Sequence, residues 1–232
     1  MSTASLTTPI NVTTGITAKG VSGNQINVHF TGLPGNLPNN YGNYLVCWRS
    51  QDAIPYNDAS PEGFVAIAIN KSEGSQELPV LFQVNVGYII GYAVGPKATA
   101  TTEQLWKNVC ATAYIPPSSS DPNIYFSPTL SKFDYDTDSI SMSFQLPSGC
   151  SPQSNGAWVG VWQTGVPSYT TPPIASAPIT INSSQGAASI NGVQVLRDQT
   201  YTVALFMSGY KAGGGGTSNV QTAMACSATL NT

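Results

Sequence analysis

The chain has 232 residues, of which eight are basic and eleven acidic, far below the charged share of about 25% in a soluble domain. A net charge of −3 with 22 aromatic residues excludes charge-driven disorder, and the scattered Lys and Arg form no basic stripe for a phosphate backbone. No stretch approaches the ~20 apolar residues of a membrane-spanning helix.

Residues 1–20 are polar and Thr-rich, with residues 1–9 read as a tail. They lack the charged-then-apolar profile of a secretory signal, so the expectation is either no export by that route or a signal already removed. Composition favours an extracellular or cell-surface setting and leaves a cytoplasmic one open. The first strand signal follows at NQINVHFTG (residues 24–32), where Ile26, Val28 and Phe30 alternate with Asn27 and His29. An apolar period of two is the mark of a half-buried strand. YLVCW (44–48), AIAINKSEGSQ (66–76) and GYIIGYAVG (87–95) continue the series, separated by turn residues such as Leu33-Pro34-Gly35-Asn36 and Ser72-Glu73-Gly74-Ser75.

The same landmarks then return in the same order. DSISMSFQL (138–146) sets Phe144 over Phe30, and WVGVW (158–162) sets Trp162 over Trp48, both at an offset of 114. PITINSSQGAA matches AIAINKSEGSQ at 112, Tyr201 falls over Tyr88 at 113, and Cys226 over Cys110 at 116. Between the copies, residues 115–129 carry four prolines, which forbid a regular helix. The expected organisation is two tandem antiparallel β-sandwich domains of about seven strands each, at residues 10–116 and 127–232, joined by a Pro/Ser-rich linker at 117–126. No window shows a helical stripe longer than two turns.

Leu196-Arg197-Asp198-Gln199-Thr200-Tyr201-Thr202-Val203 resembles the sixth-strand signature of fibronectin type III domains, and Tyr88 and Ile90 take the matching places in copy one. The resemblance implies an immunoglobulin-like sandwich. It also implies a corner at each tyrosine, with the hydroxyl bonding back to nearby backbone. Phe30 and Phe144 stand where that family usually has Trp. A fold of this kind serves many unrelated activities.

Few residues converge on chemistry. His29 is expected to face solvent on its strand, and Asp52, Asp58 and Glu62 read as turn residues in one polar loop. Asp134, Asp136 and Asp138 alternate and are a calcium candidate, but Ser139 and Gln145 occupy the sixth and twelfth positions of an EF-hand loop, so a solvated turn is preferred. Gly213 to Gly216 read as a surface loop, because no Gly-Lys-Ser/Thr follows to make a phosphate site. Asn11, Asn70 and Asn182 head glycosylation-type triplets, and Cys47, Cys110, Cys150 and Cys226 read as buried free thiols.

No catalytic residue, cofactor or resident metal is expected. The leading expectation is a non-enzymatic interaction or structural protein that self-associates, such as a surface or appendage component or a viral capsid or tail component. Its partners are itself or another protein. The alternative is a carbohydrate-binding, lectin-like or toxin-like protein using loop aromatics. Under either reading Tyr56, Trp106 and Tyr169 are expected as contact residues, with Trp48, Trp162, Tyr88 and Tyr201 in the core.

Overall fold

The computed structural model describes residues 8–50, 53–99, 101–117, 124–212 and 218–232, with side chains left aside at 19–21. Among the described residues are sixteen strands and one four-residue helix. In chain order they are β1 (Ile10–Thr13), β2 (Gly15–Ser22), β3 (Gln25–Thr31), α1 (Pro38–Tyr41), β4 (Tyr44–Arg49), β5 (Gly63–Ala66), β6 (Glu73–Pro79), β7 (Tyr88–Ala93) and β8 (Val109–Ile115). There follow β9 (Ile124–Phe126), β10 (Thr129–Tyr135), β11 (Ser139–Gln145), β12 (Trp158–Trp162), β13 (Ala175–Pro178), β14 (Gln185–Asn191), β15 (Thr200–Phe206) and β16 (Met224–Asn231). The chain is all-β, and every strand pairing is antiparallel.

The strands form two sandwiches. In the first, the sheet β2-β3-β6 faces β5-β4-β7-β8-β9; in the second, β10-β11-β14 faces β1-β16-β15-β12-β13. The alternation read from sequence is the inside–outside alternation of the three-stranded sheets. Ile26, Val28 and Phe30 are fully buried while Asn27 and His29 are exposed, and Ile140, Met142 and Phe144 repeat the pattern in β11. The inner strands β4, β7, β12 and β15 are buried almost throughout, so they read as continuous apolar runs. Burying each large side chain is worth about 1.5–3 kcal/mol, and one continuous core runs through both sandwiches.

Turn geometry repeats with the strands. Gly35 and Gly149 have φ of 85° and 83°, Gly95 and Gly209 both 101°, and Asn85 and Asp198 61° and 57°. The matched segments around Ile69 and Ile181 also have a packing reason. Each Ile tip covers a strand glycine, Gly74 or Gly186, beside the ring of Phe30 or Phe144. Both tyrosine corners are present. Tyr88 Oη accepts from Gln83 N at 2.8 Å, while Tyr201 Oη accepts from Leu196 N at 2.9 Å and donates to Gln194 O at 3.1 Å.

The domain ends differ from the sequence expectation. Ile10–Thr13, assigned to the first domain, pairs along β16 of the second sandwich. Ile124–Phe126, assigned to the linker, pairs along β8 of the first. The two segments correspond, since Ile10 and Ile124 are 114 residues apart. Each therefore leads into its own sandwich (β1 into β2, β9 into β10) while hydrogen-bonding to the last strand of the other. They meet where they cross over, Thr13 Oγ1 donating to Pro128 O at 2.6 Å, and the β1–β16 ladder runs on to Thr14 N, which donates to Ala225 O at 3.0 Å.

Tyr201→Phe removes both corner bonds and leaves the backbone groups of Leu196 and Gln194 without those partners. It is expected to cost about 1–3 kcal/mol. Tyr88→Phe, which removes one bond, should cost less. Urea unfolding with an unchanged slope is the check.

Candidate functional site

The loop after β4 and the loop before β8 close one end of the first sandwich together. Trp106 N donates to Tyr56 O at 3.1 Å, and Trp106 Nε1 donates to Asp58 O at 2.7 Å. The indole packs edge-on against Trp48 with ring centres 5.3 Å apart, touches Tyr44 and Phe64, and carries Lys97 Nζ 4.2 Å over its face. Trp106 is consequently 1% exposed.

Tyr56 points the other way, into the junction with the second sandwich. Its hydroxyl donates to Val109 O at 3.3 Å, and its ring covers Gly149 in the turn after β11. Tyr169 does the same in reverse: its ring covers Gly35 in the turn after β3 and stacks on Tyr41 with centres 5.2 Å apart. Tyr56 and Tyr169 are 113 residues apart, and Gly35 and Gly149 are 114. The pair forms a reciprocal clasp, each domain laying a loop tyrosine on the other's turn glycine. A Cβ at either glycine would meet that ring at 3.6 Å, an ordinary contact, so it is the left-handed backbone that calls for glycine.

Polar groups join the same junction. Gln104 Oε1 accepts from Ser151 N at 2.8 Å and from Asn155 Nδ2 at 2.9 Å. Its Nε2 donates to Gly149 O at 2.8 Å, and Gln104 N donates to Asn155 Oδ1 at 3.0 Å. Ser208 Oγ donates to Asn108 Oδ1 at 2.7 Å. Leu33 of the first domain enters a separate apolar cluster with Trp158, Trp162 and Phe206 of the second.

The expected contact residues are thus drawn into the molecule. Tyr56, at 4% exposure, and Trp106 are buried, and Tyr169 is half-buried. The physical reason is that long loops leave the sandwich ends open, and aromatic rings are the cheapest way to cover them. The sequence held a signal for this. Tyr56 and Tyr169 occupy matched positions, the same relation that places Trp48 (1%) and Trp162 (4%) in the core.

Other candidates stay apart. Asp134, Asp136 and Asp138 are exposed along the β10–β11 hairpin, and among the described residues no group of His, Cys, Asp and Glu could hold a metal ion. Asp136 caps the turn instead, accepting from Thr137 N at 2.7 Å. His29 is exposed on β3 with Nδ1 3.4 Å from Ser75 Oγ. Glu62 pairs with Arg49 at 2.8 Å, Asp58 accepts from Ser60 N at 2.9 Å, and Asp52 lies outside the described residues, as does the 213–216 glycine run.

Asn70 and Asn182 anchor equivalent turns. Asn70 donates to Asn40 Oδ1 at 3.0 Å and accepts from its backbone N at 3.1 Å; Asn182 donates to Ser154 Oγ and accepts from Ser154 N, both at 2.9 Å.

All four cysteines are buried and unbridged. Burial pushes the Cys110 and Cys150 thiols up from 9.0 to about 12, and raises Cys47 and Cys226 as well. The protonated thiol is the form the fold favours. Its contribution to stability is complete below the unfolded value near 9 and is lost as pH rises toward 12.

The outer edges of the sheets differ in charge, with the neutral β14 (QGAASIN) as the exception on the three-stranded sheets. β1 (INVT), β9 (IYF), β5 (GFVA) and β13 (ASAP), which flank the five-stranded sheets, contain no charged residue. They expose Ile10 (65%), Ile124 (53%) and Phe64 (45%). β6 and β10, on the three-stranded sheets, carry Glu73, Glu77, Lys132 and Asp134.

Trp106→Ala is expected to cost about 3–5 kcal/mol of stability, as for any fully buried large aromatic. Gly149→Ala and Gly35→Ala should each cost about 1–2 kcal/mol, because both positions hold a left-handed backbone. Thermal unfolding tests all three. The thiols should resist an aqueous thiol reagent in the native protein, and all four should react once it is unfolded.

No family model and no curated protein matches this sequence. A solved structure to which the chain is similar is described as "Biofilm associated protein - BSP domain". The two are 11% identical with a TM-score of 0.21, over 83% of this chain and 25% of that one. The chain thus spans about a quarter of the length of that structure, and a likeness at this score carries no argument about fold detail or function.

Proposed function

We propose that this protein is a non-enzymatic structural or interaction component that associates with copies of itself, as a surface or appendage subunit does. The observation that carries the reading is the contrast between the sheet edges. Unpaired strand edges template pairing with another chain unless charge, proline, bulges or short length blunt them. In the three-stranded sheets the outer strands β6 and β10 are charged, while the outer strand β14 is neutral. The two five-stranded sheets are bordered by neutral strands of three or four residues, guarded only by that short length and by Pro178 in β13, and they expose Ile10, Ile124 and Phe64. The low overall charge leaves few of the Lys and Glu residues that are depleted at interfaces. The reciprocal clasp and the shared core favour one rigid two-domain unit, a form suited to a repeating subunit.

The carbohydrate reading drew on Tyr56, Trp106 and Tyr169, whose rings are now engaged in closing the sandwich ends and the domain junction. It keeps no observation of its own.

Light scattering across a concentration series should show a mass that rises above one chain. Ile10→Lys combined with Ile124→Lys, each placing a charge on a neutral edge, should lower association at a given concentration while leaving the melting temperature nearly unchanged. A wild-type chain that stays monomeric at high concentration contradicts the reading.

A further inference from the structure

Strand β1, like its counterpart β9, buries little of its own surface. Ile10 and Val12 are 65% and 37% exposed, Asn11 is exposed, and Thr13 is half-buried. Residues 10–12 are therefore held chiefly by the backbone ladder to β16, while the strand's end is pinned by Thr13 Oγ1 on Pro128 O and by the fully buried Thr14, whose Oγ1 lies 3.1 Å from Cys110 Sγ. Thr14 N donates to Ala225 O, which makes positions 14 and 225 a hydrogen-bonded pair. With the register Ile10↔Thr229 to Thr13↔Cys226, pairs 12–227 and 10–229 are hydrogen-bonded too, and 13–226 and 11–228 are not. Segments held by a few exposed rungs lie at the low end of local stability.

Its partner is the opposite. β16 is eight residues long and buried over nearly all of them, so without β1 it would present a long, neutral, unpaired edge beside the core. The equivalent strand β9 is tied by the chain to β8 before it and β10 after it. β1 leads into β2 through Thr14 and Gly15, and its partner β16 is more than two hundred residues away along the chain. The β16–β1 contact is thus the non-covalent counterpart of the covalent passage from β8 through β9.

We propose that β1 is an exchangeable clasp whose second binding partner is another copy of this chain. In the dimer, β1 of each copy lies along β16 of the other in the register seen within one chain, with Thr14–Gly15 as the hinge. Glycine at the start of β2 turns at the lowest steric cost. The same ladder forms within and between copies, so concentration and hinge strain set the balance. No charge on β1 opposes a second copy. The proposal rests on the self-association reading and names the contact it uses.

Thr13→Cys tests it directly, because residue 13 faces the native Cys226 across a non-hydrogen-bonded pair. There the Cα atoms approach to about 4.5 Å, within reach of a disulfide. Asn11→Cys with Ala228→Cys, the other such pair, is the second variant should the first fail to fold. Unlabelled and 15N-labelled chains are mixed under reductant, concentrated, oxidised and digested, and the linked peptide is read by mass spectrometry. Exchange predicts light–heavy hybrid peptides that grow with the concentration reached before oxidation. Links only between like halves, in a sample that light scattering shows to be dimeric, reject the exchange and leave self-association standing. Like-only links in a monomeric sample end both. Failure of both variants to link within or between chains would mean that β1 does not lie on β16, and the proposal falls with it.

Discussion

Two short strands fix how the halves of this molecule relate. β1 and β9 each continue into one sandwich while completing the outer sheet of the other, so neither sandwich has its full complement of strands from its own stretch of chain. The crossing at Thr13–Pro128 sets the two last strands, β8 and β16, in equivalent surroundings. The tyrosine clasps and the Gln104 bonds follow from that placement. Each rung of such a ladder contributes only about 0.5–1.5 kcal/mol net. The strands act chiefly by fixing register and position, and the apolar core that spans both halves supplies the stability.

Much of this was legible in the residues. The period of two, the offset near 114 and the turn glycines pointed to the strands and the two sandwiches, because these are local properties or ratios of local properties, and the resemblance at residues 196–203 implied the tyrosine corners. The exchange of β1 and β9 was not legible. A strand such as INVT carries its propensity in its own side chains, whereas its pairing partner is chosen by an edge more than two hundred residues away. Four prolines between residues 115 and 129 were read as a linker. Proline is tolerated in edge strands and their flanks, which is where β9 lies.

The loop aromatics show a second kind of limit. Trp106 stands in a polar stretch with no partner tryptophan in the other half, and that made it look like a surface feature. Its environment comes from Trp48, Tyr44, Phe64 and the backbone of Asp58, none of them near it in sequence. The loops that carry Tyr56, Trp106 and Tyr169 seal this particular pair of domains. What remains outward is the set of neutral edges with exposed Ile10, Ile124 and Phe64.

If the halves are one unit, they unfold together. The four tryptophans divide evenly, Trp48 and Trp106 in the first sandwich and Trp158 and Trp162 in the second, and all are buried. Fluorine NMR of the protein carrying fluorotryptophan, followed through a urea titration, reports each half separately. The account predicts that all four native signals vanish at one midpoint, with one slope. Loss of the Trp48 and Trp106 signals at a different urea concentration from those of Trp158 and Trp162 would contradict it.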